Sequence, residues 1–280
     1  MPDIPALATR IAAQVAPVKG VRAVVLGGSW ARGAADPSSD IDLGVYYAPD
    51  SPLEIDSLRD LAAQIDDAHA RDVVTDAGDW GIWINGGAWL TIQGQRLDWL
   101  YRDLDRVAAI INRCIEGKPE IYYQSGHPHG FHTHIYLAEV ALCIPLVDTY
   151  GDIAALKSRV SPYPQALREA LIRNNLWEAQ FALETSVKSA KRADAFHLSG
   201  SLFRSAACLI QCLFALNECY FLNEKGAAQA VAKMALHPNN FTDRLNLALH
   251  LQSPVESHQA MQKLVAETAE LCLESGFRSA

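Results

Sequence analysis

The chain has 280 residues, half of them apolar and a fifth charged, which excludes a disordered polymer and allows one large domain or two ordinary ones. Its 24 basic and 32 acidic side chains leave a net charge of −8. That is the wrong sign for a protein that grips a nucleic-acid backbone, and it suits a small, cationic ligand better. Six cysteines are too few for a disulfide scaffold and form no Cys-x-x-Cys pair, so neither a disulfide framework nor a structural zinc is expected.

The opening MPDIPALATRIAAQVAP lacks the basic-then-apolar pattern of a leader. Pro5–Val15 reads as a helix. Val21–Leu26 is a short β-branched run ending at Gly27-Gly28, which predicts a buried strand and a turn. Ile41–Tyr47 is the next strand, 52–66 a helix, and Trp83–Gln93 and Arg96–Tyr101 two more strands about Gly94. Beyond that point the pattern is helical, over 103–116, 132–144, 163–190, 194–223, 226–236, 241–251 and 255–275. The helix near 196–222 is apolar on most sides and so is expected at the centre of a bundle. Its uncharged run around Ser205–Asn217 meets Glu218 too soon to span a bilayer. A soluble cytoplasmic protein with reduced thiols and no membrane partner is expected.

Charge changes with pattern. Residues 1–112 carry 16 acidic and 9 basic side chains, and residues 113–280 carry 16 and 15. The Gly- and Pro-rich stretch GKPEIYYQSGHPHGF falls at this change. The expected class is therefore α+β: a mixed-sheet catalytic domain with flanking helices over 1–115, a linker over 116–131, and an all-helical bundle over 132–280.

The richest stretch is Leu26–Tyr47, LGGSWARGAADPSSDIDLGVYY. A strand ends in Gly27-Gly28-Ser29, a short helix follows, and a second strand carries Asp40-Ile41-Asp42. Residues two apart on a strand share a face, so Asp40 and Asp42 project together while Ile41, Leu43 and Val45 face the core. Adjacent carboxylates repel, and a divalent cation that also binds substrate phosphates relieves this. The glycines let backbone N–H groups approach an anion, and Ser29 adds a hydroxyl.

This stretch resembles the signature of the polymerase-β-like nucleotidyltransferase superfamily: an apolar strand, Gly-Gly/Ser, a gap, then Asp-x-Asp. The resemblance implies that Gly27, Gly28, Ser29 and Arg32 bind nucleotide. It also implies a third carboxylate on a later strand, for which Asp98 in Arg96-Leu97-Asp98-Trp99-Leu100 fits. Asp40, Asp42 and Asp98 would then hold two Mg²⁺, with Mn²⁺ as substitute, about 3.5–4 Å apart for in-line displacement at an α-phosphate. A helical second part with Phe214–Phe221 (FALNECYF) is similar to the substrate domain of kanamycin-type nucleotidyltransferases. By that likeness, a glutamate of the helical region is the general base, and Glu139 is the candidate.

The implied activity is transfer of an NMP, AMP in the first instance, from an NTP to a hydroxyl of a small molecule, with aminoglycoside or lincosamide antibiotics as the analogy and antibiotic resistance as its setting. The alternatives are a protein-modifying AMP transferase of a toxin–antitoxin system and a HEPN-like ribonuclease at Arg192-x4-His197. A homo-oligomer stays open. His127, His129, His132 and His134 read either as zinc ligands or, preferably, as linker-loop residues. Cys208, Cys212 and Cys219 have helical core spacing.

Overall fold

The computed structural model describes residues 3–36, 38–250 and 253–277. The chain forms two compact units, and the division is not one cut. The first unit takes the residues up to Asn112 and then Tyr136–Pro162; the second takes Arg113–Ile135 and the residues from Tyr163 onward. The fold is α+β, as the patterning predicts.

In the first unit α1 (Ile4–Val15) starts on an Asp3 cap whose side chain accepts from the Ala6 N–H. It is followed by β1 (Val21–Leu26), the single turn α2 (Gly28–Ala31), β2 (Ile41–Tyr47), α3 (Ile55–Ile65), α4 (Gly81–Ile84), β3 (Gly87–Ile92), β4 (Gln95–Asp103) and α5 (Leu104–Ile115). After the excursion come α6 (Ile135–Leu142), β7 (Ile144–Asp148) and α7 (Asp152–Arg159), with β5 (Ile121–Tyr122) and β6 (Phe131–His132) lying between. The five-stranded sheet has the order β3-β4-β2-β1-β7. Only the β2/β4 pair is parallel.

One sheet face is apolar. Val24, Leu26, Ile41, Leu43, Val45, Leu90, Ile92, Leu97, Trp99 and Tyr101 form a buried cluster with Leu7 and Ile11 of α1 and Leu58 of α3. Alternation sends Asp42 and Asp98 to the opposite face.

The sequence expectation differs in two places here. The strand expected from Trp83 begins only at Gly87, because 81–84 forms a helical turn. The helix expected over 132–144 is α6 alone, and Ile144–Asp148 is an edge strand on β1. Pro145 is tolerated at an edge, where one side of the strand needs no ladder donor. Residues 132–280 are thus not all helical.

In the second unit β5 and β6 pair antiparallel, so the expected linker is part of a folded unit. Among the described residues five helices follow: α8 (Gln165–Arg192), α9 (Ala195–Leu216), α10 (Ala227–Val231), α11 (Phe241–Leu249) and α12 (Pro254–Glu274). α8 ends on Ala193 in the left-handed conformation, and Asp194 caps α9 by accepting from the His197 N–H. By length and composition α9 could cross a membrane, which the shorter uncharged run did not suggest; most of its residues are buried, as in a core helix. All six cysteines are free thiols.

Candidate active site

The site is built on strand register. Asp42 of β2 pairs with Asp98 of β4, flanked by Ile41↔Leu97 and Leu43↔Trp99. In a parallel pair, partners side by side point to one face, so the two carboxylates sit on adjacent strands about 4.8 Å apart at the backbone. Asp40 lies two residues before Asp42 on the same face.

The Gly27-Gly28 turn closes on this face. Gly27 N–H donates to the Asp42 carbonyl at 2.8 Å. Gly28 has φ +59°, and a β-carbon there would stand 1.8 Å from Asp42 Oδ2. Glycine is therefore required twice, for its backbone angle and for the space beside the carboxylate. Ser29 follows in α2. Arg32 is exposed at the end of that turn and its Nε donates to the Gly28 carbonyl at 3.2 Å. The nucleotide-binding candidates Gly27, Gly28, Ser29 and Arg32 thus form one turn beside Asp42.

Arg96, which sequence reasoning missed, stands beside Asp40. Its Nε lies 2.7 Å from Asp40 Oδ1. The approach is not in line for a hydrogen bond, so this buried oxygen has a charge partner and no donor. Register would have found Arg96, since it lies two residues before Asp98 on the strand parallel to β2.

The positions of Asp40, Asp42 and Asp98, and the Asp40 oxygen that has no hydrogen-bond donor, suit a divalent cation. Among the described residues no three His, Cys, Asp or Glu side chains are gathered closely enough to hold a metal. Asp40 is drawn to Arg96 instead.

Glu139, the general-base candidate, is bound to an arginine of β4. Its Oε2 accepts from Arg102 Nε at 2.7 Å and its Oε1 from Arg102 Nη2 at 2.6 Å. Arg102 is only 3% exposed and also donates from Nη1 to the carbonyls of Ile84 and Tyr101, each at 3.0 Å. Burial lowers the Arg102 pKa, but the Glu139 carboxylate more than offsets this and leaves it raised. Both Glu139 oxygens are therefore committed to neutralising a buried cation. Arg102 is four residues beyond Asp98, about 13 Å along the strand. Glu139 thus anchors a buried cation of the first unit.

His127 and His129 lie in the turn between β5 and β6, His132 on β6 and His134 just before α6. His129, His132 and His134 are buried in the second unit. His132 Nε2 is 3.1 Å from His129 Nδ1, and His129 Nε2 is 3.6 Å from Cys208 Sγ. Burial pushes His132 down to about 2 and His134 down to about 4. They are neutral packing groups, joined in a chain that does not converge on one point. At the turn between α8 and α9, His197 Nδ1 is 3.0 Å from Ser189 Oγ, so the Arg192-x4-His197 pattern contains a capped helix start.

Residues 10–76 match the model of the family described as nucleotidyltransferase domain. Residues 134–225 match a family described as "Domain of unknown function (DUF4037)". No curated protein matches the chain. Among solved structures, a nucleotidyltransferase-like protein from Exiguobacterium sibiricum is similar at 11% identity and a TM-score of 0.44, covering 96% of this chain and 76% of that one. That likeness is too distant to carry an argument. The domain match supports the polymerase-β-like superfamily and NMP transfer as the general chemistry. The kanamycin-type likeness of the second part is not confirmed by these matches.

Proposed function

We propose that the protein is a metal-dependent nucleotidyltransferase that moves an NMP, AMP in the first instance, from an NTP to a hydroxyl of a small molecule. The observation that carries this reading is the Gly28 backbone held against the Asp42 carboxylate, with Asp98 beside it in register. Glycine lets the backbone of the turn lie directly against the carboxylate, and the paired carboxylates supply the charge that a phosphate-bound cation needs.

Asp40, Asp42 and Asp98 would hold the metal, Mg²⁺ by the chemistry of an all-carboxylate set. When bound, that ion supplies positive charge against the phosphate oxygens. The chain's own residues do the rest. The Gly28 and Ser29 N–H groups and the Ser29 hydroxyl would seat the β- and γ-phosphates, the Gly27 N–H being held by the Asp42 carbonyl. Arg32 offsets charge on the departing group. The acceptor oxygen bonds to the α-phosphorus as the bond from that phosphorus to the bridging oxygen breaks. Pyrophosphate leaves with the bond pair, and the hydroxyl proton passes to solvent. Much of the catalysis is then positioning and charge compensation.

The test is a screen of the purified chain with ATP, GTP, CTP and UTP plus Mg²⁺ against a panel of small-molecule alcohols, following pyrophosphate. Release that depends on an acceptor supports the reading and names the donor. Release that is insensitive to every acceptor and unaffected by Asp42→Asn removes it.

A further inference from the structure

The second unit holds a pair of thiols that the transfer chemistry does not use. Cys212 of α9 and Cys272 of α12 are both fully buried, and their sulfurs lie 3.5 Å apart. A disulfide needs them about 1.5 Å closer, a shift on the scale of a small side-chain rotation. The other four cysteines lean on oxygen or nitrogen instead: Cys114 on the Thr133 hydroxyl, Cys143 and Cys219 on the carbonyls of Val140 and Asn217, and Cys208 on His129.

The two sulfurs differ in surroundings. Cys272 lines a cleft of about 690 Å³ whose walls include Arg173, Trp177, Leu273 and Phe277. Trp177 and Leu273 are 62% and 60% exposed, so the cleft opens to solvent. Cys212 is buried on the core helix α9. Arg168 of α8 is only 12% exposed; its Nε is buried without an acceptor, and the Glu218 carboxylate stands 3.8 Å from it. With Cys212 as donor, the hydrogen bond between the pair holds Cys272 below the ordinary thiol value, and the Arg168 charge adds to this against the effect of burial. Burial instead pushes Cys114 and Cys143 up to about 11 and Cys208 up to about 12.

We propose that Cys212 and Cys272 form a dithiol that peroxide oxidises to a disulfide, Cys272 attacking and Cys212 resolving. The Cys272 sulfur bonds to one peroxide oxygen as the O–O bond breaks, and the departing hydroxide takes the proton that Cys272 gave up and leaves as water. Cys272 is then a sulfenic acid. The Cys212 sulfur bonds to the Cys272 sulfur as the S–O bond breaks, and the second hydroxide leaves as water with the Cys212 proton. The two thiols lose two electrons, and one peroxide is reduced to two waters. An added dithiol reverses the bond by exchange. The disulfide would fasten α12 to α9 across 60 residues of sequence, where it restricts the unfolded chain.

The experiment treats the full chain, reduced and then freed of reductant, with a slight excess of hydrogen peroxide in the absence of denaturant. Remaining thiols are alkylated in urea, counted and mapped by mass spectrometry. Free thiols should fall by two from the six of the reduced chain, with a Cys212–Cys272 cross-linked peptide, and dithiothreitol should restore them. In Cys212→Ala, dimedone should label Cys272 as the sulfenic acid. In Cys272→Ala, Cys212 should stay unlabelled. The unsubstituted chain carries the first result, so it stands whatever the stability of the variants. Six thiols surviving in the folded chain, a bond between other cysteines, or a cross-link that forms only in urea overturns the proposal. Dimedone labelling of Cys212 in Cys272→Ala, as fast as that of Cys272 in Cys212→Ala, overturns the assignment of the attacking sulfur.

Discussion

Gly28 and Asp42 are so close that a methyl group on the first would stand 1.8 Å from a carboxylate oxygen of the second. The contact joins the Gly27-Gly28 turn to the strand that carries Asp42, so neither can change alone. Gly28→Ala would meet a left-handed backbone angle, costing about 1 kcal/mol, and would turn the Asp42 carboxylate aside. The expected result is a folded protein by circular dichroism that no longer binds Mg²⁺–NTP by calorimetry. Wild-type nucleotide affinity in this variant would place the phosphate site elsewhere.

Arg96 competes for Asp40. The pair is solvent-accessible, with the Arg96 side chain 68% and the Asp40 side chain 34% exposed, so its worth is at most about 1 kcal/mol. Arg96→Gln should therefore tighten Mn²⁺ binding in the absence of nucleotide by a few-fold, about fivefold at most. Paramagnetic resonance of free Mn²⁺ measures this directly. Weaker Mn²⁺ binding in the variant would mean that Arg96 supports the metal site instead of opposing it.

Glu139→Gln leaves the buried Arg102 charge without its partner. Such losses cost about 3–5 kcal/mol, and part of this is recovered here because the Glu139 side chain keeps 23% exposure. A stability loss of about 2–4 kcal/mol in urea is expected, with nucleotide affinity within about twofold of wild type at temperatures where the variant stays folded. The double variant Arg102→Met/Glu139→Leu should regain most of the loss. Unchanged stability together with lost turnover would return Glu139 to the chemistry.

The buried histidines set an acid limit. Desolvation holds His134 down at about 4 and His132 at about 2, below the ordinary 6.5. The unfolded chain thus binds more protons than the fold between those values. Stability is full above pH 6.5 and falls as pH drops through the window, by up to about 1.4 kcal/mol per pH unit for each group. Urea midpoints of His134→Gln should show a shallower fall between pH 6.5 and 4 than wild type. Equal slopes would mean that His134 is charged in the fold.

The sequence made the site legible where the signal is local. Leu26–Tyr47 carries strand, turn and carboxylates within one contiguous stretch, and periodicity alone puts Asp40 and Asp42 on one face. Asp98 needed the resemblance, which implies a third carboxylate on a later strand, together with the apolar frame of its own strand. What escaped is non-local. Glu139 finds Arg102 37 residues away, and no spacing rule reveals a bidentate pair. Ile144–Asp148 was too short and too apolar to tell from a helix end, and only its partner β1 makes it a strand.

The central claim is bond cleavage at the α-phosphorus, and one experiment reads it directly. The chain is incubated with Mg²⁺ and an alcohol acceptor, using ATP labelled with ³²P at the α-phosphate in one reaction and at the γ-phosphate in a parallel one. The account predicts that α-label moves onto the acceptor while γ-label leaves as pyrophosphate, and that Asp42→Asn abolishes both. Transfer of γ-label to the acceptor, or α-label transfer that survives Asp42→Asn, would contradict it.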